Sequence, residues 1–156
     1  MEVSIDARDL ERLIKKLEAA PDILRDARRR AMEEATLKLK QEVDTAIGGE
    51  GKVQGWQEKY VGSKGGYAAV RPKAKTFTKV NGRGKKYAVG YVTNAIEHGH
   101  RFPSTHGKQR RYNEIRNGQL NVPGRHFYQE VNKKIPEIAQ EAAAQVEAEL
   151  IAHLED

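Results

Sequence analysis

Tyr91-Val92-Thr93-Asn94-Ala95-Ile96-Glu97-His98-Gly99 and, further along, Pro123-Gly124-Arg125-His126-Phe127 are the two stretches on which the fold turns. A short apolar run ends in an acid and a glycine. A basic stretch with few apolar side chains follows, and a Pro-Gly-Arg corner then opens a segment of helical periodicity. Read outward, the first stretch predicts a sheet that ends at Glu97-His98-Gly99. Residues 99–124 should then be a loop, mobile in isolation, and the second stretch the start of the last helix.

That last helix is predicted over about 126–154. Phe127, Val131, Ile135, Ile138, Ala142, Val146, Leu150 and Leu154 recur along one face, and Pro136 should kink the helix or restart it from its first turn. Ahead of the sheet, Leu10, Leu13, Ile14 and Leu17 mark a short helix with Asp6 as its N-cap. Pro21-Asp22 should break it. A longer helix then carries Leu24, Ala27, Ala31, Ala35, Leu39, Val43 and Ile47 to a stop at Gly48-Gly49. Between 49 and 66 the pattern dissolves into Gly, Lys and Gln around Trp56. Alternation at 67–71, 75–80 and 86–92 reads as strands, with Asn81-Gly82-Arg83-Gly84 as a hairpin turn between the last two. The expectation is a single α+β domain over 1–156. N-terminal helices at about 6–47 and a long C-terminal helix pack on a short antiparallel sheet, with sheet and loops over about 49–125 and a long basic loop.

The 156 residues suit one domain with a modest core. Charged residues reach 32% and the hydrophobic fraction only 38%, with a mean hydropathy of -0.78. Part of the chain should therefore stay solvated until it meets a partner. Without cysteine there is no disulfide, thiolate nucleophile or thiolate-bound metal. No secretory leader and no membrane-spanning apolar run is visible, so assembly from the cytosol without membrane is expected. The net charge of +6 is segregated. Residues 1–48 carry ten basic and eleven acidic side chains, residues 49–125 sixteen and four, and residues 126–156 two and seven. The cationic middle should be drawn to a polyanion or to an acidic face of another subunit.

Candidate chemistry is sparse. Glu97, His98 and His100, with His106 nearby, offer donors of the zinc or nickel type. Gly99 interrupts them, however, and a polar strand end opening into a loop is the better reading. Gly62-Ser63-Lys64-Gly65-Gly66 lacks the strand before and helix after that a phosphate cradle needs, and reads as a flexible loop. Ser104 next to His106 is not triad geometry. The acids of the middle segment (Glu50, Glu58, Glu97 and Glu114) do not form a hydrolytic pair. No catalytic residue, metal or cofactor is expected. Arg28-Arg29-Arg30 should be compensated on its own helix, Arg29 by Glu33 and Arg30 by Glu34.

The basic middle is not compensated locally. Lys73, Lys75, Lys79, Arg83, Lys85 and Lys86 flank the hairpin. Arg101, Lys108, Arg110, Arg111, Arg116 and Arg125 line the loop. Trp56, Tyr60, Tyr67 and Tyr112 are interleaved, and aromatics with arginines can stack bases. No known reader module accompanies them. We expect an electrostatic docking surface at Arg83, Lys85, Lys86, Arg101, Lys108, Arg110, Arg111 and Arg116, with nucleic-acid binding as the alternative.

The order of parts resembles the tail-component family of long-tailed bacteriophages and prophages. The resemblance rests on the N-terminal helices, the glycine-rich middle, Glu97-His98-Gly99, the corner Pro123-x-Arg125-x-Phe127 and the C-terminal helix. His126 stands where the family's corner would carry a proline. Members are neck or tail-completion proteins that join tail tube to head connector. They assemble as rings, commonly of six subunits, and have no enzymatic activity. The resemblance thus implies a virion protein assembled in the bacterial cytoplasm, whose partners are its own copies, the adjacent neck, connector and tail-tube proteins, and packaged DNA as a further contact. Glu97, Gly99, Arg125 and Phe127 are the expected fold determinants, with Arg125 paired to Glu97 and Phe127 filling the core between helix and sheet.

Overall fold

The computed structural model describes residues 7–49, 51–79, 84–101 and 121–155, and side chains from residue 15 onward except those of Leu17 and Lys64. Asp6 as N-cap, the stripe from Leu10 to Leu17, the turn residues Asn81 to Arg83 and the loop residues 102–120 lie outside the described side chains. The class is α+β, with long N- and C-terminal helices and short antiparallel sheets.

Helix α1 (Ala7–Ile47) runs unbroken through Pro21, where the sequence predicts a break. Proline removes one N–H and crowds the preceding turn. Here Pro21 is exposed, so water can satisfy the carbonyl it strands, and Ala19-Ala20 before it are strong helix formers. Downstream the elements are α2 (Lys52–Trp56), β1 (Gln57–Val61), a 3-10 turn (Ser63–Gly65), β2 (Ala68–Pro72), β3 (Phe77–Lys79), β4 (Lys86–Ala88), α3 (Val89–His98), β5 (Gly99–Arg101), β6 (Asn121–Pro123), α4 (Phe127–Asn132) and α5 (Ile135–Glu155). Among the described residues the strands form three two-stranded ribbons, β1–β2, β3–β4 and β5–β6, in place of one sheet.

Two compact bodies are built from these elements. One takes residues up to Leu39, Lys59–Ala69 and the chain from Lys134 onward; the other takes Lys40–Glu58 and Val70–Lys133.

In the first body α5 lies against α1 rather than on a sheet. Ala31, Ala35, Ile138 and Ala142 form the buried seam, with Leu39 and Val146 at its edge. Alanine at every fourth position of α1 lets the two backbones approach closely, and Pro136 occupies the first turn of a restarted helix. Arg29 pairs with Glu33 at 3.2 Å as expected. Arg30 instead bonds Glu149 of α5, because the facing helix presents a carboxylate that Glu34 would otherwise have to supply from the same face. Both ion pairs are exposed and add little stability. The 62–66 segment is not a free loop either. Gly65, at φ +68, sits so close to α1 that a Cβ there would lie 3.1 Å from the Cα of Arg29. Its carbonyl accepts from Arg28 Nε at 3.1 Å.

In the second body the largest departure is at Lys86–Val92 and beyond. The strand stops at Ala88 and the apolar run becomes helix α3. Val89, Thr93 and Glu97 are buried at four-residue spacing, which is one face of a helix. The β-branched residues of this run favour strand only weakly, and burial of that face overrides the preference. β3 and β4 form the predicted hairpin, with Phe77 opposite Ala88, Thr78 opposite Tyr87 and Lys79 opposite Lys86. Gln57 begins a strand where sequence periodicity shows none.

Candidate functional site

Gly99 ends α3 at φ 79 and ψ 173, a backbone region essentially reserved for glycine. It begins β5, which pairs antiparallel with β6: Gly99 opposite Pro123, His100 opposite Val122 and Arg101 opposite Asn121. The ends of the predicted loop are thus strands. At their base the chain passes itself at backbone distance. A Cβ on Gly99 would meet the Val122 carbonyl and, at 2.7 Å, the Gly124 amide nitrogen; one on Gly124 would meet the Glu97 carbonyl and, at 2.7 Å, the His98 carbonyl carbon. The stretches Tyr91–Gly99 and Pro123–Phe127 therefore meet in one junction.

The corner caps what surrounds it. The Arg125 amide donates to Ile96 O at 2.9 Å and the His126 amide to Glu97 O at 3.1 Å, which satisfies the last carbonyls of α3. The Arg125 guanidinium donates to Ile47 O at the end of α1, not to Glu97. The predicted Arg125–Glu97 pair is replaced because the Glu97 carboxyl oxygens accept the amides of Tyr128 at 3.1 Å and Gln129 at 3.3 Å. Glu97 is only 2% exposed. An acid supplied from α3 thereby caps the N-terminus of α4, where the helix dipole favours a negative group. His126 adopts φ 54, ψ 29, a left-handed conformation closed to proline, so the backbone path excludes the proline that the resemblance would place at this corner. Phe127 is 1% exposed and opens α4 at the core.

A part-buried polar chain continues from this junction. The Tyr128 hydroxyl donates to Gln57 Oε1. Gln57 Nε2 in turn donates to Val53 O at 3.1 Å and contacts Thr93 Oγ1 at 3.4 Å. Burial foremost, then the charge of Glu97, pushes the Tyr128 phenol up to about 12. In the unfolded chain a tyrosine ionises near about 10. The phenol's contribution is complete below that pH and is lost as pH rises towards about 12, because the unfolded state then releases a proton that the folded state keeps. Tyr128→Phe is expected to flatten this alkaline decline and, at neutral pH, to cost about 1 kcal/mol for the lost bond. Melting temperatures of both proteins across alkaline pH test this. Parallel declines would refute it.

The partner-contact candidates fall elsewhere. Lys85 and Lys86 are exposed on the hairpin and Arg101 is exposed on β5. Arg83, Lys108, Arg110, Arg111 and Arg116 lie outside the described residues. Sequence reading missed the hairpin's aromatic surface. Phe77 is 60% and Tyr91 67% exposed. Tyr87 and Tyr91 stack with centroids 6.1 Å apart, and Lys85 Nζ lies 5.4 Å from the Tyr87 ring centroid. It also missed Gln57, Tyr128 and the close approach of Gly124 to Gly99. The signal available for Gly124 was a second glycine at the far end of the basic segment from Gly99. Among the described residues no group of three or more histidines or acids could hold a metal ion, and no helix is long and apolar enough to cross a membrane. No family model matches this chain, and neither does any curated protein or solved structure.

Proposed function

We propose that this chain is a structural ring subunit of the neck or tail-completion region of a long-tailed phage or prophage, without enzymatic activity. It would join the tail to the head connector through its own copies and the adjacent neck and tail-tube proteins. One observation carries the reading: the acid-x-Gly and Pro-x-Arg-x-Phe elements of the resemblance meet in space as a single junction around Gly99 and Gly124. In that junction Glu97, Arg125 and Phe127 are all consumed by internal bonds or packing. Their chemistry is architectural. Among the described partner-contact candidates, Lys85, Lys86 and Arg101 are exposed and so offered to partners.

The alternative, a nucleic-acid-binding protein, is favoured by the exposed Phe77 and Tyr91 beside the hairpin lysines, since aromatic faces and cations together hold single strands. Arg110→Glu with Arg111→Glu separates the two readings. For the ring subunit, electron microscopy of lysates from a phage carrying both changes should find heads and tails that never join. The wild-type protein should then show little DNA binding. Normal joined virions, together with wild-type DNA binding that falls steeply with salt, would overturn the neck assignment.

A further inference from the structure

From the faces of the β3–β4 hairpin and the α1–α5 seam, we infer that the hairpin of one copy docks on the acidic depression of the first body of a second copy, a head-to-tail contact. This deepens the ring-subunit reading and rests on it.

The hairpin register makes one face of the ribbon chemically mixed. Phe77 and Lys79 are two apart on β3, opposite Ala88 and Lys86, so all four share a side of the ladder. All four are exposed. Lys79 and Lys86 are directly opposed like charges, an arrangement that weakens a free ribbon. A negatively charged occupant would relieve that repulsion. A second hairpin would worsen it, so lysines at these edges exclude the two-fold, hairpin-to-hairpin pairing.

The complementary surface is in the first body. Ala31, Ala35, Ile138 and Ala142 floor a shallow depression between α1 and α5, with Glu34, Glu141 and Lys38 at its rim. Lys38 bonds Glu141. The Lys38 ammonium is held above its ordinary value by that bond foremost and by the charges of Glu34 and Glu137. Two carboxylates, Glu34 and Glu141, thus share the rim with one ammonium, Glu137 lies exposed one turn from Glu141, and the edge of the depression is negative over a floor already buried in the seam. The hairpin face is positive with an apolar ring beside it. The two patches are complementary in charge, and they belong to different parts of the chain. A contact of that kind is heterologous, so it propagates into a closed ring or an open chain.

Two variants test this. The first carries Lys79→Glu and Lys86→Glu, which keeps a like-charged cross-strand pair and so leaves hairpin stability nearly unchanged. The second carries Glu34→Lys and Glu137→Lys, both at exposed positions. Sedimentation at low salt should show the wild-type protein self-associating. Each variant alone should lose association, its apparent Kd rising at least about tenfold, because like charges now face each other. An equimolar mixture of the two should restore association, since each hairpin then meets a patch of opposite sign. Wild-type protein that stays monomeric at low salt, or a mixture that fails to associate, would overturn the interface. So would a hairpin variant that loses DNA binding while associating normally, which would make the hairpin a nucleic-acid surface. Failure here with head–tail joining still abolished by the Arg110/Arg111 reversal would remove this interface and leave the ring-subunit reading standing.

Discussion

Gly99→Ala is expected to lower the melting temperature by on the order of ten degrees. Two costs combine. Any side chain at φ 79, ψ 173 is strained, by about 1–3 kcal/mol. The added methyl would also collide with the Val122 carbonyl and the Gly124 amide nitrogen, which are backbone atoms and cannot swing aside. Moving them costs a further 1–3 kcal/mol or so. Against a typical total of about 5–15 kcal/mol this is a large share. Gly124→Ala should be costly for the same reason, because its Cβ would strike the carbonyls that end α3. The double variant should cost less than the sum, since both changes break one close approach. Denaturant titrations of the two single variants and the double give this cycle directly. Strict additivity, or an unchanged Gly99→Ala protein, would show that the chain does not cross itself there.

Ile138→Asp is expected to abolish the α1–α5 seam. Ile138 is 8% exposed and lies among Ala31, Ala35 and Ala142. The change forfeits about 1.5–3 kcal/mol of apolar burial. It also places a carboxylate beside Glu34 and Glu141, which line the same depression, where Lys38 is already bonded to Glu141. Burying that group would cost several kcal/mol more. With the seam gone, α1 and α5 lose the packing of their apolar faces, from which most helical stability in proteins comes. Circular dichroism should therefore record a marked loss of helix together with a broadened, lower transition. Ile135→Asp is the control: Ile135 is 42% exposed, so its variant should melt close to the parent. Equal behaviour of the two variants would show that the seam contributes no core.

The apolar faces of α1 and α5 were legible because alanine and isoleucine spacing is a local property, but their packing on each other, in place of the expected sheet, was not. Ala27, Ala31, Ala35, Val43 and Ile47 are buried as their period requires, although Leu24, on the same stripe, is 43% exposed. The hairpin followed from alternation around an Asn-Gly turn. The choice for residues 89–98 did not, because a ten-residue run with several β-branched side chains satisfies both strand and helix patterns locally. It was settled by which face found burial.

Partner identity was less legible still. Glu97, Gly99, Arg125 and Phe127 stood out as a set, yet a linear pattern cannot say that Glu97 would cap α4 while Arg125 reached the end of α1. Both are long-range choices between groups equally capable of bonding each other. Arg30 repeats the lesson, taking Glu149 over Glu34. The amino-acid sequence by itself determined the α+β class, the apolar faces of α1 and α5, the charge segregation and the glycines at the ends of the basic segment. Each of these is a property of residue type and near-neighbour spacing. Only the tertiary structure decided that Gly99 and Gly124 pass at backbone contact, that Gln57 and Tyr128 complete a part-buried polar chain, and that Phe77 shares a face with Lys79 and Lys86. Those outcomes depend on which distant segments exclude water together, and chain order does not encode that directly.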